Sequence, residues 1–162
     1  MNAKDKMNAN DTLADALKRH AIDLPTDQIE RLDKYCRLLW DWNSKLNLTR
    51  HTDYEKFVGR DVLDTLQLAA HLRDGEEVLD VGTGGGVPGV VLAIVRPDLK
   101  VTLCDSVAKK ARAVESMVND LGLEVPVMPF RAEELLEDTR YDALVIRAVG
   151  PLWKLLAAFK PH

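Results

Sequence analysis

The sequence predicts a Rossmann-like α/β fold, a doubly wound and mostly parallel sheet behind an N-terminal helical extension. Three observations carry the prediction. From Asp74 onward, short apolar runs of strand length alternate with amphipathic runs of helix length, the pattern of a parallel sheet. The first of these strands stops at five glycines within eight residues (Gly82 to Gly89), and a new apolar run starts at Val90. Before Asp74 only helical periodicity is present. We therefore divide the 162 residues into a helical extension over 1–72 and a sheet core over 73–162.

Asp11 to His20 carries Leu13, Ala14, Ala16 and Leu17 on one helical face, with acids early and bases late as the helix dipole favours. Leu24-Pro25-Thr26 interrupts, and Thr26 is the expected N-cap of a helix over Asp27 to Trp42 that repeats Ile29, Leu32, Cys36 and Leu39. Tyr35, Trp40 and Trp42 flank that stripe. Asn43 to Asp53 is polar and rich in turn formers. Tyr54 to Leu72 returns to helical period, weakened at Gly59. Arg60, Asp61 and Asp64 fall on one side of it. The simpler expectation is a solvated face with Arg60 paired to Asp64; a ligand-facing group is the sharper one.

In the core, Val78 to Val81 is the first strand and Val87 to Val95 the helix after it. Lys100 to Asp105 and Val107 to Leu121 repeat the unit, closed by Gly122. Val125 to Phe130 is a third strand, punctuated by Pro126 and Pro129, which suits an edge. Arg131 to Asp138 is a short helix or turn. Tyr141 to Val149 is almost continuously apolar, as in a strand buried on both faces. Pro151 to Phe159 reads as a helix with proline at its first position.

Composition excludes several classes. No apolar run approaches the roughly 18–20 residues of a membrane span. Met1 to Asn10 lacks the apolar centre of an export signal, which leaves the cytoplasm as the expected location. Cys36 and Cys104 have no redox or metal spacing, the four histidines are scattered, and no metal is expected. A net charge of −4 argues against bulk electrostatic binding of nucleic acid, though not against a local patch. Lys45, Arg50, Lys56 and Arg60, with Lys109, Lys110 and Arg112, are the candidates for one.

The glycine run is where chemistry is expected. Gly84-x-Gly86-x-x-Gly89 follows a strand and opens a helix, where glycine admits close backbone approach and the helix start offers free N–H groups. Asp105 ends the next strand, 19 residues after Gly86, where a carboxylate can take both hydroxyls of an adenosine ribose. Asp80 sits two residues before Gly82. An acid there suits a ligand carrying an ammonium and a sulfonium, and would repel the pyrophosphate of a dinucleotide. No GKT or GKS follows, so a phosphate loop is unsupported. S-adenosyl-L-methionine is favoured over a nicotinamide dinucleotide.

Leu79 to Gly89 (LDVGTGGGVPG), with Arg96-Pro97 just beyond, resembles the bacterial RsmG (GidB) family of 16S rRNA guanine-N7 methyltransferases. Trp42-Asn43 with Asn47-Leu48-Thr49 resembles its WN…NLT run. Arg60 with Val62-Leu63-Asp64-Thr65 resembles its RHxLDS segment. Asp105-Ser106 with Lys109-Lys110, Arg131-Ala132-Glu133-Glu134 and Arg147-Ala148-Val149 resemble further segments, in unbroken order over about residues 29 to 159. The resemblance implies a class I methyltransferase fold and methyl transfer from S-adenosylmethionine to N7 of a guanine in 16S rRNA of the 30S subunit. By position, Gly82, Thr83, Gly84, Gly86 and Val87 would form the cofactor loop, with Gly82, Gly84 and Val87 along the methionine and ribose. Asp105 would hold the ribose, and Ser106 and Val107 would lie beside the adenine. Ala132 and Glu133 would flank the adenine ring, and Arg147 would stand at the mouth of the site as the catalytic candidate.

Guanine N7 offers a lone pair and carries no proton, so the absence of a Ser–His or Cys–His pair is no objection. A flipped base would want a stacking partner, and Trp40, Trp42, Tyr54 and Trp153 are candidates, each weighed against simple packing. The expected partner is the 30S subunit or its rRNA, with no membrane, and the expected state is a monomer. An NAD-type oxidoreductase and a non-catalytic ribosome-binding relative are the rival readings.

Three departures from the family pattern stand out. Asp61 replaces the usual histidine after the arginine. Gly85 replaces a frequent proline, which is expected to loosen the loop. The sequence stops at His162, before the further C-terminal strands of such a sheet, which would make Tyr141 to Val149 an exposed apolar edge.

Overall fold

The computed structural model describes residues 10–147. Four parallel strands form one sheet: β1 (Glu77–Val81), β2 (Lys100–Cys104), β3 (Val127–Met128) and β4 (Ala143–Ile146), in the order β3-β2-β1-β4. β1 is central because its run Val78-Leu79-Asp80-Val81 is buried throughout. It pairs with β2 from Glu77–Lys100 to Val81–Cys104, and with β4 from Val78–Ala143 to Val81–Ile146. β3 pairs only through Leu103–Val127 and Cys104–Met128 and lies at the edge of the described sheet, as the flanking Pro126 and Pro129 predict.

β4 departs from the two-sided burial expected of it. Only Val145 is buried in it, and Leu144 is 37% exposed. Among the described residues β4 has one hydrogen-bonded neighbour, β1. Ala148, Val149, the predicted helix Pro151 to Phe159 and Trp153 lie outside the described residues.

Helix α1 (Leu13–Arg19) starts at a reciprocal cap. Thr12 Oγ1 accepts from Asp15 N at 3.1 Å, and Asp15 Oδ2 accepts from Thr12 N at 3.3 Å. α2 (Thr26–Asn43) begins one residue earlier than expected, at Thr26 itself. Pro25, not Thr26, stands at the N-cap, extended at φ −57° and ψ 147°, and its carbonyl accepts from Gln28 and Ile29. α3 (Tyr54–Lys56), capped by Asp53, runs through a π-helical stretch over Phe57–Val62 into α4 (Leu63–Ala69).

That wider turn is functional in its consequence. Phe57, Val58, Asp61 and Val62 are all buried, so the π-helical stretch carries Asp61 inward with the apolar pairs on either side of it. Gly59 admits the imidazole of His20, whose Cε1 would stand 3.0 Å from an added Cβ. α4 ends at Ala69, before the predicted Leu72, and Arg96 binds carbonyls at and just beyond that end. Nη1 donates to Ala69 O at 2.8 Å and to Leu72 O at 3.4 Å.

α5 (Gly89–Val95), α6 (Ala108–Asp120) and α7 (Ala132–Asp138) complete the described helices. Successive strand residues face opposite sides. Val78, Val101 and Leu103 join α1, α2, the π-helical stretch, α5 and α6 in one continuous core. Leu79, Val81 and Cys104 turn the other way, onto Ala132 of α7. Helices on both faces of a parallel sheet make this the doubly wound arrangement predicted.

Candidate cofactor site at the glycine loop

β1 delivers the chain into the loop at Val81. Gly82, Gly84 and Gly86 then take φ values of 66°, 59° and 104°, where an L side chain is strained. Gly89 is required by space instead. A Cβ there would stand 2.0 Å from Leu103 Cδ2 and 2.6 Å from Asp80 Oδ2. Gly89 N donates to that same Asp80 oxygen at 2.8 Å, so the start of α5 rests directly on the end of β1.

Asp80 lies wholly beneath this turn. Oδ2 also accepts from Thr83 Oγ1 at 2.7 Å, while Oδ1 is buried without a partner. Burial pushes its carboxyl up to about 6, against the two hydrogen bonds, with nearby Asp105 adding to the rise. Asp105, 8% exposed, braces the loop from β2. Its Oδ2 accepts from Gly84 N and its Oδ1 from Val107 N, each at 2.9 Å.

The other wall comes from the N-terminal helices. The fully buried Tyr35 donates to Gly85 O at 2.7 Å, and burial, with Asp61 close by, raises its phenol well above the usual range. A Cβ on Gly85 would stand 2.9 Å from Leu39 Cδ1 and 3.1 Å from Leu48 O. The expected loosening at Gly85 is therefore not what is found: with no side chain at this position, α2 and the following segment close directly onto the loop. Asn43 Oδ1 accepts from Leu48 N at 2.9 Å and Thr49 N at 3.0 Å, which explains the paired WN and NLT segments as one folded turn.

Asp61 is buried in this wall. His51 Nδ1 at 2.9 Å and Arg147 Nη1 at 2.7 Å both reach its Oδ1, and Oδ2 has no partner. Arg147 Nη2 lies 3.5 Å from Asp64 Oδ2. The expected solvated face with an Arg60–Asp64 pair is thus corrected. Arg60 is exposed, Asp64 faces Arg147, and the π-helical turn buries Asp61.

These pieces enclose a cleft of about 240 Å³. Gly82, Thr83, Gly84, Gly85 and Val87 line one side; Thr49, Arg50, His51 and Asp61 line the other, with Arg147 at the sheet end. A second cleft of about 170 Å³, lined by Asp64, Thr65, Pro88 and Ile146, lies across Arg147.

Of the residues singled out in the sequence, Gly82, Thr83, Gly84, Val87 and Arg147 share the cleft at the glycine loop. Asp80 and Asp105 support it through hydrogen bonds. Gly86 packs away from it; a Cβ there would meet Val90 Cγ2 at 2.7 Å and Tyr35 Oη at 3.0 Å. Ser106 and Val107 are exposed beyond β2, Ala132 packs on Cys104, and Glu133 is exposed at the start of α7. Trp40 and Tyr54 stack edge to face at 5.1 Å, each with its polar atom bonded, to His51 O and Asp33 Oδ1. Trp42 lies under Lys45 Nζ at 5.2 Å. Asn43 is marked in the sequence by the WN segment alone, and Tyr35 and His51 give no functional signal there beyond their places in the second helix and the polar turn.

The family model for GidB, rRNA small subunit methyltransferase G, matches residues 28–161. Ribosomal RNA small subunit methyltransferase G of Rhodopirellula baltica is 46% identical over 147 residues, covering 91% of this chain and 64% of that protein. Its namesake in Chromobacterium violaceum is 40% identical, covering 86% and 68%. The chain thus spans about two thirds of the length of these curated relatives. Among solved structures, MtNAS in complex with MTA and tNA superimposes with a TM-score of 0.55 at 17% identity, over 79% of this chain and 51% of that one. A mutant of MtNAS in complex with S-adenosylmethionine gives 0.51 at 15% identity, over 89% and 60%. At such identities these two support the fold alone, which is the Rossmann-like methyltransferase fold. With the family model matching residues 28–161, the protein belongs to the rRNA small subunit methyltransferase G (GidB) family.

Proposed function

We propose that the protein binds S-adenosylmethionine on the glycine loop and transfers its methyl group to N7 of a guanine in 16S rRNA of the small ribosomal subunit. One observation of the structure carries the cofactor half of this reading. Two buried carboxylate oxygens without partners, Asp80 Oδ1 and Asp61 Oδ2, flank a loop whose glycines permit close approach. Such a surround favours a cationic ligand and opposes a pyrophosphate, which disfavours the nicotinamide alternative. The family match supports the rRNA half.

When bound, the cofactor supplies an electrophilic methyl on a sulfonium. The chain's own residues position and enclose. Gly82, Gly84 and Val87 offer backbone and a small apolar surface along the cleft. Asp105 already accepts two amide protons and keeps lone pairs for ribose hydroxyls. Ser106, Val107, Ala132 and Glu133 stand at the ends of β2 and the start of α7, where the adenine would lie. Arg147, between the two clefts, is the residue proposed to meet both cofactor and target base, the latter in the cleft beside Asp64 and Thr65. Guanine N7 needs no deprotonation, so in-line placement supplies most of the rate, worth several kcal/mol. On this reading the protein works as a cytoplasmic monomer on the 30S subunit.

Transfer of labelled methyl from S-adenosylmethionine to 30S subunits tests the proposal, with the modified base identified as N7-methylguanine. Label appearing on another base or on protein would refute the substrate. Tighter binding of NAD(H) than of S-adenosylhomocysteine in calorimetry would refute the cofactor.

A further inference from the structure

The two unpartnered carboxylate oxygens are not equivalent. Asp80 is sealed beneath the loop by Thr83 and Gly89 and does not border the cleft. Asp61 does border it, although only 2% of its surface is exposed. A buried carboxylate oxygen without a donor leaves its desolvation uncompensated, and a ligand donor that reaches it recovers that loss.

The other oxygen of Asp61 is pinned. His51 Nδ1 donates to Oδ1 at 2.9 Å from the loop before α3, and Arg147 Nη1 donates at 2.7 Å from the end of β4. Thr65 Oγ1 donates to the Asp61 main-chain carbonyl at 2.7 Å, fixing the helix turn beneath it. The carboxylate is therefore held in one orientation beside Gly82 to Gly85, with a guanidinium next to it. A carboxylate and a guanidinium side by side match the ammonium and carboxylate of an α-amino acid.

We propose that Asp61 binds, through Oδ2, the α-ammonium of the amino-acid end of the ligand held on the glycine loop. This rests on the S-adenosylmethionine reading above and adds to it the residue that recognises the zwitterionic end. It also gives the acid at position 61, where the family resemblance leads one to expect histidine, a chemical purpose. A guanine edge also offers N–H donors. The cleft that Asp61 lines is, however, shared with Gly82 to Gly85 of the glycine loop, which favours the small cation over RNA.

Calorimetry on the full chain tests this with two probes. S-adenosylhomocysteine carries the amino-acid end, and 5′-methylthioadenosine has the same nucleoside and a thioether without it. Asp61→Asn keeps an acceptor for His51 and Arg147 but removes the charge. It is expected to weaken S-adenosylhomocysteine on the order of tenfold to a hundredfold and to leave methylthioadenosine unchanged. Equal weakening of both probes, or of neither, overturns the proposal. Loss of 30S binding alone would assign Asp61 to RNA instead and equally overturn it. A wild-type measurement removes dependence on the variant's folding: the des-amino analogue of S-adenosylhomocysteine should bind at least tenfold more weakly, and equal affinity overturns the proposal. Failure of wild type to bind either probe would refute the cofactor reading as a whole. Binding that ignores Asp61 would refute this inference alone.

Discussion

At the scale of single residues, two buried polar groups set measurable expectations. Tyr35 donates to a buried carbonyl, Gly85 O, that no other group serves among the described residues. Tyr35→Phe leaves that carbonyl unsatisfied and should destabilise the protein by about 1–3 kcal/mol, read from urea unfolding. A loss below a few tenths would mean that the loop reorganises without the bond. Asp80 makes a pH-dependent contribution of opposite sign to an ordinary surface acid. Its carboxyl is raised to about 6 from 3.8, so between those values the folded state holds a proton that the unfolded chain has released. This contribution is therefore complete below about pH 4 and is lost as the pH rises through 6, by about 3 kcal/mol in all. Stability curves of wild type and Asp80→Asn should diverge over that window in favour of the variant as pH rises. Parallel curves from pH 4 to 7 would show that Asp80 is ionised throughout.

The elements are joined at a few tight contacts, and these are where substitutions should act. Gly89 begins α5 against the end of β1, with no room for a methyl group next to Leu103. Gly89→Ala should destabilise by about 1–3 kcal/mol through overpacking and weaken S-adenosylhomocysteine by displacing the loop. Unchanged stability would show that α5 can slide. Arg96 ties the end of α5 to the end of α4 through Ala69 O and to Asp98 through a two-point pair at 2.8 and 2.9 Å. Removing it by Arg96→Ala frees carbonyls at a helix C-terminus and should cost about 1–2 kcal/mol, seen as a lower thermal midpoint with little effect on ligand affinity. An equal loss of affinity would imply that α4, and Asp64 on it, position the ligand directly.

For the molecule as a whole, the decisive feature is the continuous core. Residues of α1, α2 and the π-helical stretch share it with β1, β2, α5 and α6, so the helical segments have no separate apolar interior. Tryptophan fluorescence, which reports largely from α2 through Trp40 and Trp42, should therefore unfold together with far-UV circular dichroism in one transition. A separate, earlier fluorescence transition would show that the extension over 1–72 is an independent unit. The same arrangement explains why the cleft is built jointly. Its glycine wall belongs to the sheet and its acid–histidine wall to the helices before it.

Much of this was legible in the chain itself. The alternation of apolar runs from Asp74 determined the parallel sheet, because only buried strands joined by crossover helices tolerate that pattern. Five glycines between a strand and a helix located the loop proposed to hold the ligand, and ordered local motifs named the family, because both are properties of contiguous residues. The two prolines of Val125 to Phe130 placed β3 at an edge for the same local reason. What the chain could not show was where its separated charges meet. Asp61 reads as one acid of a solvated helix face until a π-helical turn, invisible to a period of 3.6 residues per turn, carries it inward. Its partners, His51 and Arg147, lie 10 and 86 residues away in sequence. Only tertiary packing brings the three together, and only burial turns a surface carboxylate into an acceptor that a ligand can complete.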